Sequence, residues 1–96
     1  MSDAAAQNIT LPAIVDLDAL DHVREQLLDA IGHGPVAIDA AKVERIATNA
    51  LIMLLSGAET ARRLGGTLTL EEPSEVMQAA IARLGLDGQF AAIVKG

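Results

Sequence analysis

The chain has 96 residues, a net charge of -6, no cysteine and a single aromatic residue. This length supports one domain with its own hydrophobic core, and the lack of cysteine excludes disulfides and thiolate sites and favours an intracellular protein. An acidic chain with one aromatic ring lacks the positive surface and the stacking side chains of nucleic-acid-binding proteins. No apolar stretch approaches the roughly 20 residues of a membrane span, and the N-terminal segment lacks the pattern of a secretory signal. We therefore expect one cytoplasmic domain over residues 1–96, with residues 1–6 disordered.

The first third of the chain predicts a strand, a helix and a second strand. Residues 8–11 end at a proline and predict a short edge strand. Helical spacing of apolar residues predicts a helix over about residues 18–31, with Asp18 at its start and Gly32 just after its end. The residues expected on its buried face are Leu20, Val23, Leu27, Leu28 and Ile31. Residues 36–38 are all apolar, which predicts a strand covered on both faces.

A second helix is predicted over about residues 49–64, with Thr48 or Asn49 as its N-cap. The residues expected on its buried face are Leu51, Leu54, Leu55, Ala58 and Ala61. Ile52 and Met53 then point away from the core at the start of the helix. Two large apolar side chains in that position predict a surface for another protein, unless a homodimer or a second layer buries them.

The remaining segments complete an alternating order of strands and helices. The structure of residues 40–47 is left open by the sequence. Residues 67–70 alternate with the period of a strand, and Ser74 is a good N-cap for a third helix over residues 75–84. Its expected buried residues are Val76, Met77, Ala80, Ile81 and Leu84. We expect a last strand at residues 91–94, and the order as a whole predicts an α/β domain with right-handed crossovers.

The segment Asp-Ala-Ala-Lys-Val-Glu-Arg-Ile-Ala-Thr-Asn-Ala-Leu at residues 39–51 resembles the STAS domain, the family of bacterial anti-sigma factor antagonists and related regulatory modules. The resemblance continues through residues 62–70, a proline-led third helix, and Leu-Gly-Leu at residues 84–86 before Phe90. It implies an α/β fold with a mixed sheet of four to five strands and helices packed on it. It also implies a domain without catalytic activity or cofactor that works by docking to protein partners.

The same resemblance points to a phosphorylation site. The family signature is Asp-Ser-Ser-Gly-Leu or Asp-Thr-Ala with an apolar continuation, and its first hydroxyl residue is the phosphoacceptor. Carried over by position, Thr48 falls on the phosphoacceptor and Leu51 on the leucine. Ala47 replaces the aspartate, Asn49 the second serine or the alanine, and Ala50 the glycine. The resemblance thus implies Thr48 as phosphoacceptor, and the alternative is that Thr48 only caps the helix.

We expect the partner to bind around this position. The predicted partner-binding residues are Asn49, Ile52, Met53, Ser56, Lys42 and Arg45. The two cations would guide an acidic partner, although exposed cations are usually only solvated. Asp39, at the end of a predicted strand, is expected to accept backbone N–H groups or to orient a loop.

Nothing in the sequence converges on an enzyme. His22 and His33 are far apart and have no clustered carboxylates at ligand spacing, so we expect no metal site. The glycine pairs around residues 32–34 and 65–66 do not have the spacing of a phosphate-binding loop. We therefore expect no catalytic residue, no metal and no cofactor.

Two functions remain. The first is an anti-sigma factor antagonist or a similar phosphorylation-dependent partner-switching protein, bound to a kinase-type anti-sigma factor or to a signalling-cluster protein such as one linked to chemotaxis. The second is a structural accessory subunit, because some small STAS proteins that this chain resembles bind the ATPase of a lipid-transport ABC system. Neither requires nucleic acid or membrane insertion, and a homodimer is compatible with both.

Overall fold

The computed structural model describes residues 7–95, and the predicted disorder of residues 1–6 lies outside that range. The strands of the described part are β1 Gln7–Thr10, β2 Ile14–Val15, β3 Val36–Asp39, β4 Arg45–Ile46, β5 Leu68–Glu71 and β6 Val94–Lys95. Its helices are α1 Leu17–Ile31, α2 Thr48–Arg63, α3 Glu75–Arg83 and α4 Asp87–Ala91. None of these helices has the length and apolar character needed to cross a membrane.

The strands form a four-stranded sheet in the order β1-β3-β5-β6 and a separate pair of β2 with β4. The α/β class and the edge position of β1 are confirmed. Every strand pairing within the described residues is parallel, so the mixed pairing implied by the resemblance is wrong there. Parallel neighbours require crossover connections, and helices supply them between successive strands of the larger sheet.

One face of the larger sheet carries the core and the other is open. Three residues in register form the centre of the buried face: Ile9, Ile38 and Leu70. On the opposite face Ala37 is only half-buried, between exposed Asn8 and half-buried Thr69. Our expectation that residues 36–38 are covered on both faces is therefore wrong. The neighbouring strands place polar residues beside Ala37, which the sequence of β3 alone does not reveal.

Helix α1 begins earlier than its apolar pattern indicates. Asp16 is the N-cap, and its Oδ1 accepts a hydrogen bond of 3.0 Å from the Ala19 N–H. The predicted start at Asp18 is wrong, because Asp16 supplies the capping carboxylate and Leu17, which is exposed, is the first helical residue. Leu28, expected in the core, is also exposed. The buried residues of α1 are Val23, Leu27, Ala30 and Ile31.

The later helices end where glycine predicts. Gly65 and Gly85 follow α2 and α3 with φ of 82° and 70°, a left-handed backbone that glycine adopts without strain. Ser74 is the N-cap of α3, as predicted. Val76 and Leu84, however, are exposed rather than buried, because only one narrow side of α3 meets the core. The buried residues of that side are Met77 and Ile81.

The end of the chain differs from its predicted form. Residues 87–91 form the short helix α4, and the last strand covers Val94–Lys95 rather than residues 91–94. Phe90 of α4 is buried and belongs to the hydrophobic core. A helix of five residues is too short to show a helical period in the sequence, which explains the error.

Candidate functional site

The start of α2 is formed by backbone geometry rather than by a capping side chain. Thr48 is the first helical residue and Ala47 is the N-cap, so the prediction of Thr48 or Asn49 as N-cap is wrong. Ala47 has an extended backbone, and its N–H donates a 2.8 Å hydrogen bond to the Val15 carbonyl. The chain therefore passes directly from the β2–β4 pair into α2, and this leaves Thr48 one position inside the helix.

The N-terminal end of α2 is exposed to solvent. Thr48 and Asn49 are both exposed, and no described residue hydrogen-bonds to the Thr48 hydroxyl. The first N–H groups of a helix lack helical partners and carry a partial positive charge. The Thr48 hydroxyl therefore stands free at the positive end of a 16-residue helix.

Two exposed apolar residues that the sequence analysis did not single out lie at the same end of the domain. Ile14 is 50% exposed and lies opposite Arg45 in the parallel β2–β4 pair, whereas Leu17 is 63% exposed at the start of α1. Both α1 and α2 begin directly after this strand pair and pack against each other. Alternation with buried Val15 is the signal in the sequence that Ile14 faces outward.

We use the name helix-start surface for Ile14 and Leu17 together with the exposed residues at and just before the N-terminal end of α2. Its residues are Ile14, Leu17, Arg45, Thr48, Asn49 and Ile52. It combines three large apolar side chains, one cation and a hydroxyl at a helix start. Clustered apolar exposure rimmed by polar residues is typical of a surface that binds another protein.

The other predicted binding residues differ in position. Met53 is partly buried and packs against the core, so the expectation that it points away with Ile52 is wrong. The buried arc of α2 is shifted from the predicted one and leaves Met53 at its margin, with the buried residues Ala50, Leu51, Leu54, Gly57 and Ala61. Ser56 is exposed, one turn after Ile52, and its role stays a prediction.

Lys42 belongs to a turn that is tied to α3. The Ser74 hydroxyl donates a 2.6 Å hydrogen bond to the Val43 carbonyl, and the Ser74 N–H donates one of 3.1 Å to the Ala40 carbonyl. In the same turn Asp39 Oδ1 accepts a bond of 2.9 Å from the Ala41 N–H, as expected for a carboxylate at a strand end. Arg45, in contrast, lies in β4 directly before the start of α2.

The described residues were also compared with the requirements of a metal site and of a catalytic base. Within residues 7–95, no group of three or more histidine, aspartate or glutamate side chains is placed to hold a metal ion. The helix-start surface contains one hydroxyl and one guanidinium, and the exposed carboxylate of Asp16, between Ile14 and Leu17 in the chain, is engaged as the N-cap of α1. The features that remain are the exposed apolar side chains and the exposed hydroxyl of Thr48.

Comparison with known proteins gives a family match over almost the whole chain. The family model described as Mlab, STAS domain matches residues 2–95. No curated protein is significantly similar in sequence. The match spans every element of the structure, including the β2–β4 pair and the start of α2.

Proposed function

The chain belongs to the STAS domain family, and from this premise we propose that it is a non-enzymatic regulator in a partner-switching circuit, controlled by phosphorylation of Thr48. A regulatory or binding role is general to the family. The single observation that carries the finer proposal is the free Thr48 hydroxyl, exposed at the first residue of α2 beside exposed Ile52.

Phosphorylation at this position is compatible with the fold. The positive end of the helix would stabilise the added charge by roughly 0.3–1 kcal/mol at an exposed site. Because Thr48 is not the N-cap, its hydroxyl is not needed to begin the helix. Loss of the free hydroxyl therefore leaves the hydrogen bonds among residues 7–95 unchanged.

Phosphorylation of Thr48 would weaken the contact with a bound partner. A phosphoryl group adds a charge of about -1.5 to -2 and a shell of water. In a packed contact over Ile52 and Leu17, that charge would be desolvated at a high free-energy cost unless the partner supplied cations. The same modification that the free domain tolerates would thus release the partner.

The partner we propose is a kinase-type anti-sigma factor or a signalling-cluster protein such as one linked to chemotaxis, in the cytoplasm. An apolar patch that covers Leu17 and Ile52 would supply most of its affinity, as buried apolar anchors do in protein interfaces. An acidic group opposite Arg45 would set the orientation. Asn49 and Ser56, both exposed, are the proposed polar rim of this contact.

The experiment compares tagged wild-type protein with three variants isolated from its own cells. Thr48→Glu should lose the wild-type partner, whereas Thr48→Ala should keep it. Thr60→Glu is the matched control, because Thr60 is an exposed residue of the same helix about 18 Å from Thr48 at 1.5 Å per residue. The partner is identified by mass spectrometry, and its affinity is then measured with the purified pair.

Phosphorylation is tested on the same material by intact-mass analysis. Wild-type protein should contain a species heavier by one phosphoryl group, and Thr48→Ala should lack it. Equal affinity of Thr48→Glu and wild type for the purified partner would remove Thr48 from the switch. Loss of binding in Thr60→Glu as well would indicate a general effect of charge.

A second candidate function is a constitutive accessory subunit on the ATPase of a lipid-transport ABC system. The observation that favours it is Ala47, which stands where the family signature has an aspartate beside the phosphoacceptor. A hydroxyl without that charged neighbour is compatible with a permanent contact. Recovery of an ATPase with its membrane partners in the experiment above, with no phosphorylated species, would favour this function over the first.

A further inference from the structure

A groove on a different part of the molecule has the features of a second binding site. It lies between α3, α4 and β6, has a volume of about 420 Å³, and is lined at its base by Ile81, Phe90 and Val94. Its exposed lining residues are Glu72, Gln78, Ala82, Asp87 and Ala91, so the groove is open to solvent. The helix-start surface shares none of its residues with this groove.

The ionisable side chains among the described residues that line this groove are both carboxylates. Glu72 precedes α3 and Asp87 begins α4, so the two acids are supplied by different connections. The groove thus combines an apolar base with negative charge on its walls. An occupant that matches both features is apolar where it enters and positively charged where it meets the walls.

We propose that this groove binds a segment of a partner protein in which an apolar side chain is flanked by lysine or arginine. A small molecule is disfavoured because ligand pockets enclose about 70–90% of the ligand surface, whereas this groove is open. A peptide segment needs only one buried anchor and charged neighbours at the rim. The inference is independent of the proposed function, since it concerns other residues.

The backbone of Glu72 makes a sharp test possible. Its φ is 50°, and it is the only non-glycine residue of the described part with a positive φ. Glycine adopts this conformation without strain, so Glu72→Gly should keep or raise stability. If the Glu72 carboxylate binds the partner, Glu72→Gly and Glu72→Gln should weaken partner binding by the same factor. Only Glu72→Gly also removes the backbone strain at this position.

The probe is a labelled helical peptide of leucine and lysine at helical spacing, titrated with the full chain and followed by fluorescence anisotropy. Glu72→Gln and Asp87→Asn should each weaken binding by about two- to fivefold, the effect of an exposed ion pair. Glu25→Gln on α1 removes the same charge from an exposed position and should leave the affinity unchanged. Ala82→Lys, at an exposed wall of the groove, should abolish binding because it fills the groove and neutralises it.

Three outcomes would overturn the proposal. Equal weakening by Glu25→Gln and Glu72→Gln would show general attraction of a cationic peptide to an acidic protein. Equal binding of a peptide with glutamate in place of lysine would show that the carboxylates play no part. Self-association of the wild type that Ala82→Lys removes, measured by sedimentation, would show that a second copy of this chain occupies the groove.

Discussion

Leu27 of α1 lies directly against Gly57 of α2. A Cβ added to Gly57 would come within 2.6 Å of the Leu27 Cδ2 atom and 3.3 Å of its Cγ. Leu27 is itself buried, so it has little room to move aside. The missing side chain at Gly57 lets α1 and α2 pack closely, and this packing places the starts of both helices, with Leu17 and Thr48, at the same end of the domain.

Gly57→Ala should therefore destabilise the protein, although alanine is the better helix former. The substitution gains about 1 kcal/mol of helix propensity but overpacks a core contact, which typically costs about 1–3 kcal/mol. We expect a net loss of about 1 kcal/mol in the free energy of unfolding, and hence a midpoint lower by about 4–8 °C. Urea and thermal unfolding measure both quantities.

The cause is tested with Leu27→Ala, which alone should cost about 2–5 kcal/mol. In the double variant the added methyl group enters the space that Leu27 vacated, so Gly57→Ala should then stabilise the protein. Strictly additive effects of the two substitutions would contradict a direct clash. Additive effects would mean that Gly57→Ala destabilises the protein through a change elsewhere in α2.

Features set by neighbouring residues in the chain are predicted well by the sequence. Ser74 and the glycines at positions 65 and 85 mark helix ends through local hydrogen bonds and backbone freedom, and all three are found where expected. Leu28 and Val76 are predicted wrongly because both belong to an apolar stripe wider than the side of the helix that meets the core. Which edge of such a stripe is covered depends on the placement of other elements.

The candidate site shows the same division. The position of Thr48 at the start of α2 is predictable because an apolar helical pattern begins there. Ile14 escapes notice because a two-residue strand shows too little alternation, and its pairing with β4 joins segments far apart in the chain. The exposure of Leu17 at the start of α1 depends likewise on which elements cover it. Met53 is misplaced because a small rotation of the buried arc decides between core and surface.

Ile52→Lys and Met53→Lys should separate binding from stability. Ile52 is 46% exposed, so lysine there should leave the free energy of unfolding within about 0.5 kcal/mol, as for other surface substitutions. Met53 packs against the core, so lysine at that position should lower the free energy of unfolding by a larger amount, about 1–3 kcal/mol. Unfolding in urea gives both values, and partner titration should show a loss of affinity for Ile52→Lys. Equal stability of the two variants would place Met53 on the surface.

Glu59 gives a pH dependence near the end of α2. Hydrogen bonds from Arg62 lower the pKa of the Glu59 carboxyl below its ordinary value, and Arg63 Nε adds a bond of 3.2 Å. A lowered folded-state pKa gives stability that is present above the unfolded pKa and lost as pH falls through the folded one. Glu59→Gln should thus be less stable than wild type at neutral pH and equal to it in strong acid. Unfolding in urea at both pH values measures the difference, and a difference that persists in acid would contradict the assignment.

Ala47→Asp should stabilise the protein, because it supplies the side-chain cap that α2 lacks. An aspartate at the N-cap accepts a hydrogen bond from the first turn, and such a cap contributes about 0.5–2 kcal/mol relative to alanine. Urea unfolding should show a higher midpoint with an unchanged slope. Ala47→Ser is the neutral control, and it should retain the gain from the hydrogen bond but not the further gain from negative charge at the helix start.

The aspartate of Ala47→Asp also restores the signature residue beside Thr48, so under the proposed switch a cognate kinase should modify this variant faster. A gain in stability without faster modification would limit Ala47 to capping and favour the accessory subunit over the switch.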